Sequence, residues 1–325
     1  MRLVWFLLVL VAVTGCASHS SSTKVGVLLP LTGDFSSFGE EIRSALVAAN
    51  DGSVEYVFED TVCDPKVTAS AYSKLTDVEG VHFIIGPACG SPQEVVATLS
   101  SGNAQVIMLP SAAPESLFEL SKGNVFQIQY SLEKEASFVA DRMYSEGYGT
   151  VVIIAYQNAF SQAQAIAFKK AYKGKVLEEI DFQDIGSDVR IAATKVKALN
   201  ASAVYVADLA FFIDGGLARF GEQGVSLPVY STYVVSMPFV RDLVENVTYS
   251  YPGGIDTEKG AVYSLAEQAG STLISAINEC SGDVDCVRSS FNKSGEFNAE
   301  GVSTRDINMY RIEDGVGIQL QRSIG

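Results

Sequence analysis

Basic side chains are scarce in this chain: 23 lysines and arginines stand against 38 aspartates and glutamates, a formal charge of −15 over 325 residues. An acidic surface of that size repels phosphate backbones and anionic lipid, and no basic cluster offsets it, so nucleic acid is not expected as a partner. Histidine is scarcer still, with His19 and His82 alone, and no CxxC occurs, so no metal site is expected. GxSxG, HExxH and P-loop motifs are absent, which removes the usual nucleophile, metalloprotease and nucleotide signatures. Long apolar runs are missing too. The one candidate, residues 3–13, falls short of the roughly 20 residues that a spanning helix needs. No Pro/Gln/Ser-rich expanse interrupts the 47% of hydrophobic residues, so most of the chain is expected to fold, with length enough for two domains.

The short apolar run follows a single cation, Arg2, and ends in small residues, the pattern of an export signal. Val13-Thr14-Gly15-Cys16 resembles the lipobox of prokaryotic lipoproteins, which implies a signal peptide over 1–15 and a diacylated Cys16. An ordinary signal peptide with an incidental cysteine is the alternative. Residues 17–23, ASHSSST, carry nothing more apolar than alanine, and 16–23 reads as a flexible tether. If Cys16 bears lipid, four cysteines remain for an oxidising compartment, which allows three pairings. Cys280 and Cys286 flank the turn-rich SGDVD and are expected to lie close together, leaving Cys63 with Cys89.

From residue 24 onward, apolar runs alternate with helical spacing. KVGVLLP (24–30), VEYVFED (54–60), VHFIIGP (81–87) and QVIMLP (105–110) read as strands, with helices over 38–50, 65–76 and 92–100. The helix after Asp64 opens on a good N-cap. The alternation then repeats. Helices over 133–148, 161–172, 187–199 and 213–223 interleave with the strands TVVIIAY (150–156), KVLEEIDF (175–182), ASAVYVAD (201–208) and PVYSTYV (228–234). Helices over 258–278 and 283–291 follow, then INMYRIEDGVGIQL, a hairpin turning at Asp314-Gly315. Apolar strands separated by helices mean parallel sheets covered on both faces, and two such sets mean an α/β fold of two doubly wound, Rossmann-like lobes.

Four stretches carry a family resemblance: KVGVLLPLTGDFSSFGEEI, VCDPKVTASAYSKL, GVHFIIGPACGSPQEV and VIMLPSAAPESL. They resemble the type I periplasmic substrate-binding proteins, most closely the leucine/isoleucine/valine-binding branch. In that family a ring before a glycine, here Phe38-Gly39, borders the cleft, and a "CDP" cysteine pairs with one after the third strand, in agreement with Cys63 and Cys89. The resemblance implies hinge strands near 127–131 and 251–254 with a return after Gly295. The N-terminal lobe would then comprise 24–128 plus 253–295, and the C-terminal lobe 129–252 plus 296–325. The second lobe looks trimmed, since GGIDTEKG leads almost directly into the long helix.

Ligands of doubly wound sheets bind beyond the carboxyl ends of strands, which confines the site to loops 31–38, 88–91, 110–113, 156–161, 208–212 and 231–236. Amino-acid-binding relatives hold a carboxylate with hydroxyls and amides and an ammonium with an acid. This chain departs from that set. Gly90 stands where they carry serine, with Ser91 adjacent; Ala113 replaces a threonine, though Ser111 keeps a hydroxyl beside Ala112. Phe160 replaces a tyrosine, and Tyr233 replaces the acid, for which Asp208 is near enough to substitute. Phe38, Tyr156, Phe160, Phe211 and Tyr233 would give a more aromatic, less zwitterionic pocket, although Phe211 and Phe212 fit lobe core equally well.

His82 is expected in the core. Cys89, paired and without a partner histidine, is not expected to be a nucleophile, and Glu40-Glu41 and Glu178-Glu179 are read as solvated. The three Asn-x-Ser/Thr triplets, at Asn200, Asn246 and Asn292, would be idle in a prokaryote. The expected protein is not an enzyme and needs no cofactor. It is a lipid-anchored solute-binding protein on the extracytoplasmic face of the cell membrane, serving an ABC permease and capturing a small amino-acid-like, polar or aromatic solute. The alternative is a sensing lipoprotein or a regulator of cell-wall synthesis on the same fold.

Overall fold

A computed structural model describes residues 22–183, 188–256 and 258–321. The signal peptide, the lipidation at Cys16, the tether up to residue 21 and the expected helix start at 187 lie outside the described residues.

The first lobe runs β1 (Thr23–Leu29), α1 (Ser36–Ala49), β2 (Val54–Asp60), α2 (Pro65–Ser73), β3 (Phe83–Ile85), α3 (Gly90–Ser100), β4 (Val106–Leu109), α4 (Ser116–Ser121) and β5 (Val125–Gln127). Its five strands lie parallel in the order β2-β1-β3-β4-β5. The central strands are buried throughout because helices cover both faces, which is why they could be apolar without interruption. Asp64 caps α2 as its sequence position predicts, accepting from the Lys66 and Val67 amides.

The second lobe runs α5 (Leu132–Ser145), β6 (Thr150–Tyr156), α6 (Ala159–Ala171), β7 (Lys175–Phe182), α7 (Arg190–Leu199), β8 (Ala203–Val206), α8 (Ala210–Ile213), α9 (Gly216–Glu222), β9 (Val229–Ser231), α10 (Pro238–Arg241) and β10 (Val247–Pro252). The chain then returns to the first lobe for α11 (Ala261–Glu279), packed on α1, and α12 (Val284–Ser294), packed on α11 and β4. It ends in the second lobe with β11 (Ile307–Glu313) and β12 (Val316–Gln319). The seven strands lie in the order β12-β11-β10-β9-β8-β6-β7, with β11 and β12 antiparallel. Without that hairpin the order β7-β6-β8-β9-β10 repeats the first lobe's. Asp314 and Gly315 both take left-handed φ, at 51° and 71°, as a two-residue hairpin turn requires.

Several elements differ from their sequence reading, each for a physical reason. The strands β5 and β10 carry no long apolar run: one is VFQ, the other VTYSYP, whose hydroxyl-bearing residues are all buried, with Ser250 donating to Glu135, Tyr251 to the Asp256 carbonyl and Thr248 accepting from Arg311. The expected helix over 213–223 is broken at Gly215, at φ 76°. His82 is exposed, not core, since the strand starts one residue later at Phe83 and leaves the imidazole at its open amino end. Glu41 is not solvated: it lies between the lobes near Arg241, and burial pushes its carboxyl up to about 7. Glu178 and Glu179 lie on the edge strand β7, paired with Lys195 and Lys169. Phe211 and Phe212 pack edge-to-face with each other, and Phe211 with Phe220, wholly inside the second lobe.

Disulfides join Cys63 to Cys89 and Cys280 to Cys286, each with Cα atoms 5.6 Å apart. The first ties the loop after β2 to the residue that precedes α3. At Gly39 the helix α1 presses on β1's exit, and a Cβ there would lie 1.9 Å from the Pro30 carbonyl oxygen. Gly39→Ala must therefore move backbone, and is expected to cost about 1–3 kcal/mol, the range of overpacking substitutions. A urea midpoint equal to that of the parent protein would show that the close approach is not rigid.

Candidate functional site: an apolar cleft between the lobes

Both sheets reverse their strand order between the first strand of the set and the third, and the two reversal points face each other. Loops after β1 and β3 of one lobe meet loops after β6, β8 and β9 of the other around a cavity of about 140 Å³. Phe35, Phe38, Phe160, Leu209, Tyr233 and Val234 form most of its apolar wall, with Ala88 and the Cys63–Cys89 disulfide.

The polar groups are few, and each is held from behind. Asn158 caps α6, its Oδ1 accepting the Ser161 amide at 2.8 Å, while its Nδ2 donates to Asp208 Oδ2 at 2.7 Å. Asp208 also accepts the Ala210 amide at 2.8 Å. Burial pushes its carboxyl up, hydrogen bonds from Ala210 and Asn158 pull the other way, and the net shift is upward. It is the one carboxylate among the described residues lining the cavity. Across the cavity, α3 begins at Gly90 with no side chain capping it, so the Gly90 and Ser91 amides remain for a ligand. Gly90 itself allows a close approach between lobes: a Cβ would lie 3.1 Å from both Ala159 Cβ and the Phe160 amide nitrogen.

Asp60, at the end of β2, organises the first-lobe wall. Its carboxylate accepts the Leu31, Thr32 and Val62 amides and the Thr32 hydroxyl. Burial pushes this carboxyl up, but those hydrogen bonds outweigh it and hold it below the usual range. Val62 and Cys63 both sit at left-handed φ, 43° and 55°, a cost that the Asp60 bonds and the disulfide offset.

Of the residues singled out from the sequence, Phe38, Gly90, Ser91, Phe160, Asp208 and Tyr233 line one cavity. Ser111, Ala112, Ala113 and Tyr156 do not. Ser111 is buried behind the wall, its Oγ donating to the Ala88 carbonyl and accepting from Gln93 Nε2, both at 3.0 Å. Ala113 is fully buried, and Ala112 brings its backbone within hydrogen-bonding reach of the Tyr233 phenol. Tyr156 points into its own lobe and donates to Asp214 at 2.9 Å. The positions of Ser111, Ala112 and Ala113 follow from topology, since the loop after β4 is one strand removed from the reversal point, whereas Tyr156 ends a strand beside it and is drawn away by its bond to Asp214. Phe35, Asn158, Leu209 and Val234, which also line the cavity, were not singled out, although all four stand in loops that the strand-end argument marks.

The profile of the periplasmic binding proteins matches residues 22–238. The chain belongs to the periplasmic binding protein family. Among solved members of similar fold, the leucine-binding protein LivK of Thermotoga maritima superposes at a TM-score of 0.83 with 16% identity, covering 92% of this chain and 98% of that one. A solute-binding protein of an R. palustris ABC transporter, in complex with benzoate, superposes at 0.81 with 17% identity, covering 92% and 95%. At those identities the likeness is one of fold, the type I periplasmic binding fold. Among sequence relatives, the Leu/Ile/Val-binding protein homolog 3 of Brucella melitensis is 23% identical over 79% of this chain and 71% of its own. The penicillin-binding protein activator LpoA of Photobacterium profundum is 27% identical over 57% of this chain, which spans only 31% of that relative. The leucine-binding, benzoate-bound and Leu/Ile/Val-binding neighbours are binding proteins, and this periplasmic binding protein has the fold of the solute-binding components of ABC transporters.

Because Gly90 brings the lobes together, Gly90→Leu is expected to hold them apart. Small-angle scattering should give a larger radius of gyration, with an unchanged thermal midpoint. An unchanged radius would mean that the lobes do not meet at α3 and α6.

Proposed function

We propose that this periplasmic binding protein captures a solute the size of one substituted ring, carrying a carboxylate and no ammonium group, by closure of its two lobes. The observation that carries this reading is the cavity itself. Its volume of about 140 Å³ is close to the roughly 150 Å³ cavity that accommodates benzene in an apolar protein core, and its walls are chiefly aromatic and aliphatic. The uncapped Gly90 and Ser91 amides offer an anion site at the start of α3. Asp208 is a poor counter-ion for an ammonium, because burial favours its neutral form and Asn158 and Ala210 already hold its oxygens. The benzoate complex of the R. palustris neighbour is consistent with such a solute.

In this reading Phe38, Phe160 and Tyr233 grip the ring while Gly90 and Ser91 receive the carboxylate. The protein would work outside the cytoplasm, anchored through Cys16, and would present the closed complex to an ABC permease. A second reading, activation of a cell-wall synthase, is favoured by the likeness to LpoA.

Solute binding to the folded state raises the thermal midpoint, which supplies the test. Benzoate and ring-substituted benzoates are expected to raise it by several degrees at millimolar concentration, with leucine and dipeptides giving less. A larger shift with leucine would overturn the aromatic-acid reading. No shift with any small solute would favour the second.

A further inference from the structure

Glu135, in the first turn of α5, is fully buried and lies outside the cavity. Its carboxylate gathers hydrogen bonds from four separate segments: the chain before α5, α6, the turn after β9, and β10. Oε1 accepts from the Tyr130 hydroxyl at 3.3 Å, the Tyr233 backbone amide at 3.2 Å and the Ser250 hydroxyl, and Oε2 accepts from Gln164 Nε2 at 2.6 Å. Tyr130 stands on the first crossing between lobes, and Ser250 on β10, which leads into the second. Tyr233 lines the cavity and reaches the first lobe at Ala112. Gln164 belongs to α6, whose amino end lines the cavity, and its Oε1 accepts from Tyr205 of β8 at 2.9 Å.

From this convergence we infer that Glu135 is a positioning residue that couples loss of a proton to closure of the lobes on the solute. The inference rests on the solute-closure reading above. All the partners point donors at the carboxylate, so the arrangement fits the ionised group. A proton on Oε1 would face the Tyr233 amide and one on Oε2 the Gln164 Nε2, neither of which can turn to accept, whereas the Ser250 and Tyr130 hydroxyls can. Closure also decides how many donors are present. Ser250, Gln164 and the Tyr233 amide belong to the second lobe and keep Glu135 buried in either state, whereas Tyr130 sits on the crossing that rotates. Opening therefore weakens the Tyr130 bond without restoring water, which favours the protonated acid.

Burial pushes this carboxyl up to about 7 against the pull of Ser250, Tyr233, Gln164 and Tyr130, so the exchange falls at neutral pH. The titratable groups coupled to it from neighbouring elements are the phenols of Tyr130, Tyr205 and Tyr233, each raised by burial and neutral over that range; the contacts from α6 and β10, Gln164 and Ser250, do not titrate. The sign follows: closure releases the proton, so affinity rises as pH rises through about 7 and falls below it.

The test pairs two readouts on the parent protein and Glu135→Gln between pH 5.5 and 8. Benzoate affinity of the parent should strengthen about tenfold across that range, the equivalent of one pKa unit between open and closed states. Scattering without solute should show the radius of gyration shrinking over the same interval. Glu135→Gln should flatten both profiles at their low-pH values, and Tyr130→Phe, which removes the one donor that closure changes, should flatten the affinity profile as well. Identical pH profiles in parent and Glu135→Gln would overturn the inference, even if both bind weakly. If benzoate binds at no pH, the aromatic-acid reading fails while scattering still decides the role of Glu135.

Stability checks that the variant folds. A carboxyl raised above its unfolded value costs stability as pH climbs from about 4.5 to 7. Glu135→Gln should therefore gain thermal midpoint relative to the parent at pH 8 compared with pH 5. A loss at both would assign Glu135 a purely structural role.

Discussion

Everything in this molecule depends on how parallel strands end. A buried parallel strand leaves its carboxyl end without a hairpin partner, and the chain must turn out into a loop before the covering helix begins. Where the strand order reverses, two neighbouring loops part in opposite directions and leave a crevice. Both sheets here share the order that places the reversal beside their first strand, and the crossings turn the two crevices toward each other. The cavity is the space that remains. It needs no special residue to exist, and its position is settled before any side chain is chosen.

Side chains decide what the space prefers. The wall is aromatic and aliphatic because the strand-end loops contribute Phe35, Phe38, Phe160 and Leu209, and its polar groups are fixed by contacts behind it. Asp60 orders two loops through one carboxylate, Asn158 is steered by Asp208 and the Ser161 amide, and Ser111 props the Ala88 carbonyl. Such rear support fixes the groups of the wall in advance, so binding need not reorder them.

Charge is distributed with the same economy. Carboxylates crowd the surface, where ion pairs such as Lys195 with Glu178 are half in water and contribute little. Three are drawn inside: Asp208 at the cavity, Glu135 at the crossings and Glu41 between α1 and the second lobe. Burial raises all three.

Apolar alternation in KVGVLLP, TVVIIAY and their companions was enough to establish two doubly wound lobes, because period and burial are local consequences of composition. The same reading marked the loops that would meet, and within them Phe38, Gly90, Ser91, Phe160, Asp208 and Tyr233. It could not separate these from Ser111 or Ala113, since a residue one strand away from the reversal point has the same local pattern as one beside it, nor from Tyr156, whose inward turn toward Asp214 depends on a distant partner. Nor could it see β5, β10 or Glu135. β5 is too short, and β10 and the Glu135 turn too polar, to register as buried, and their hydrogen bonds join residues as far apart as Glu135 and Ser250. Local sequence determined which elements form and where they end. Tertiary structure alone decided which ends share a cavity and which buried carboxylate holds the crossings, because both depend on partners that only the folded chain brings together.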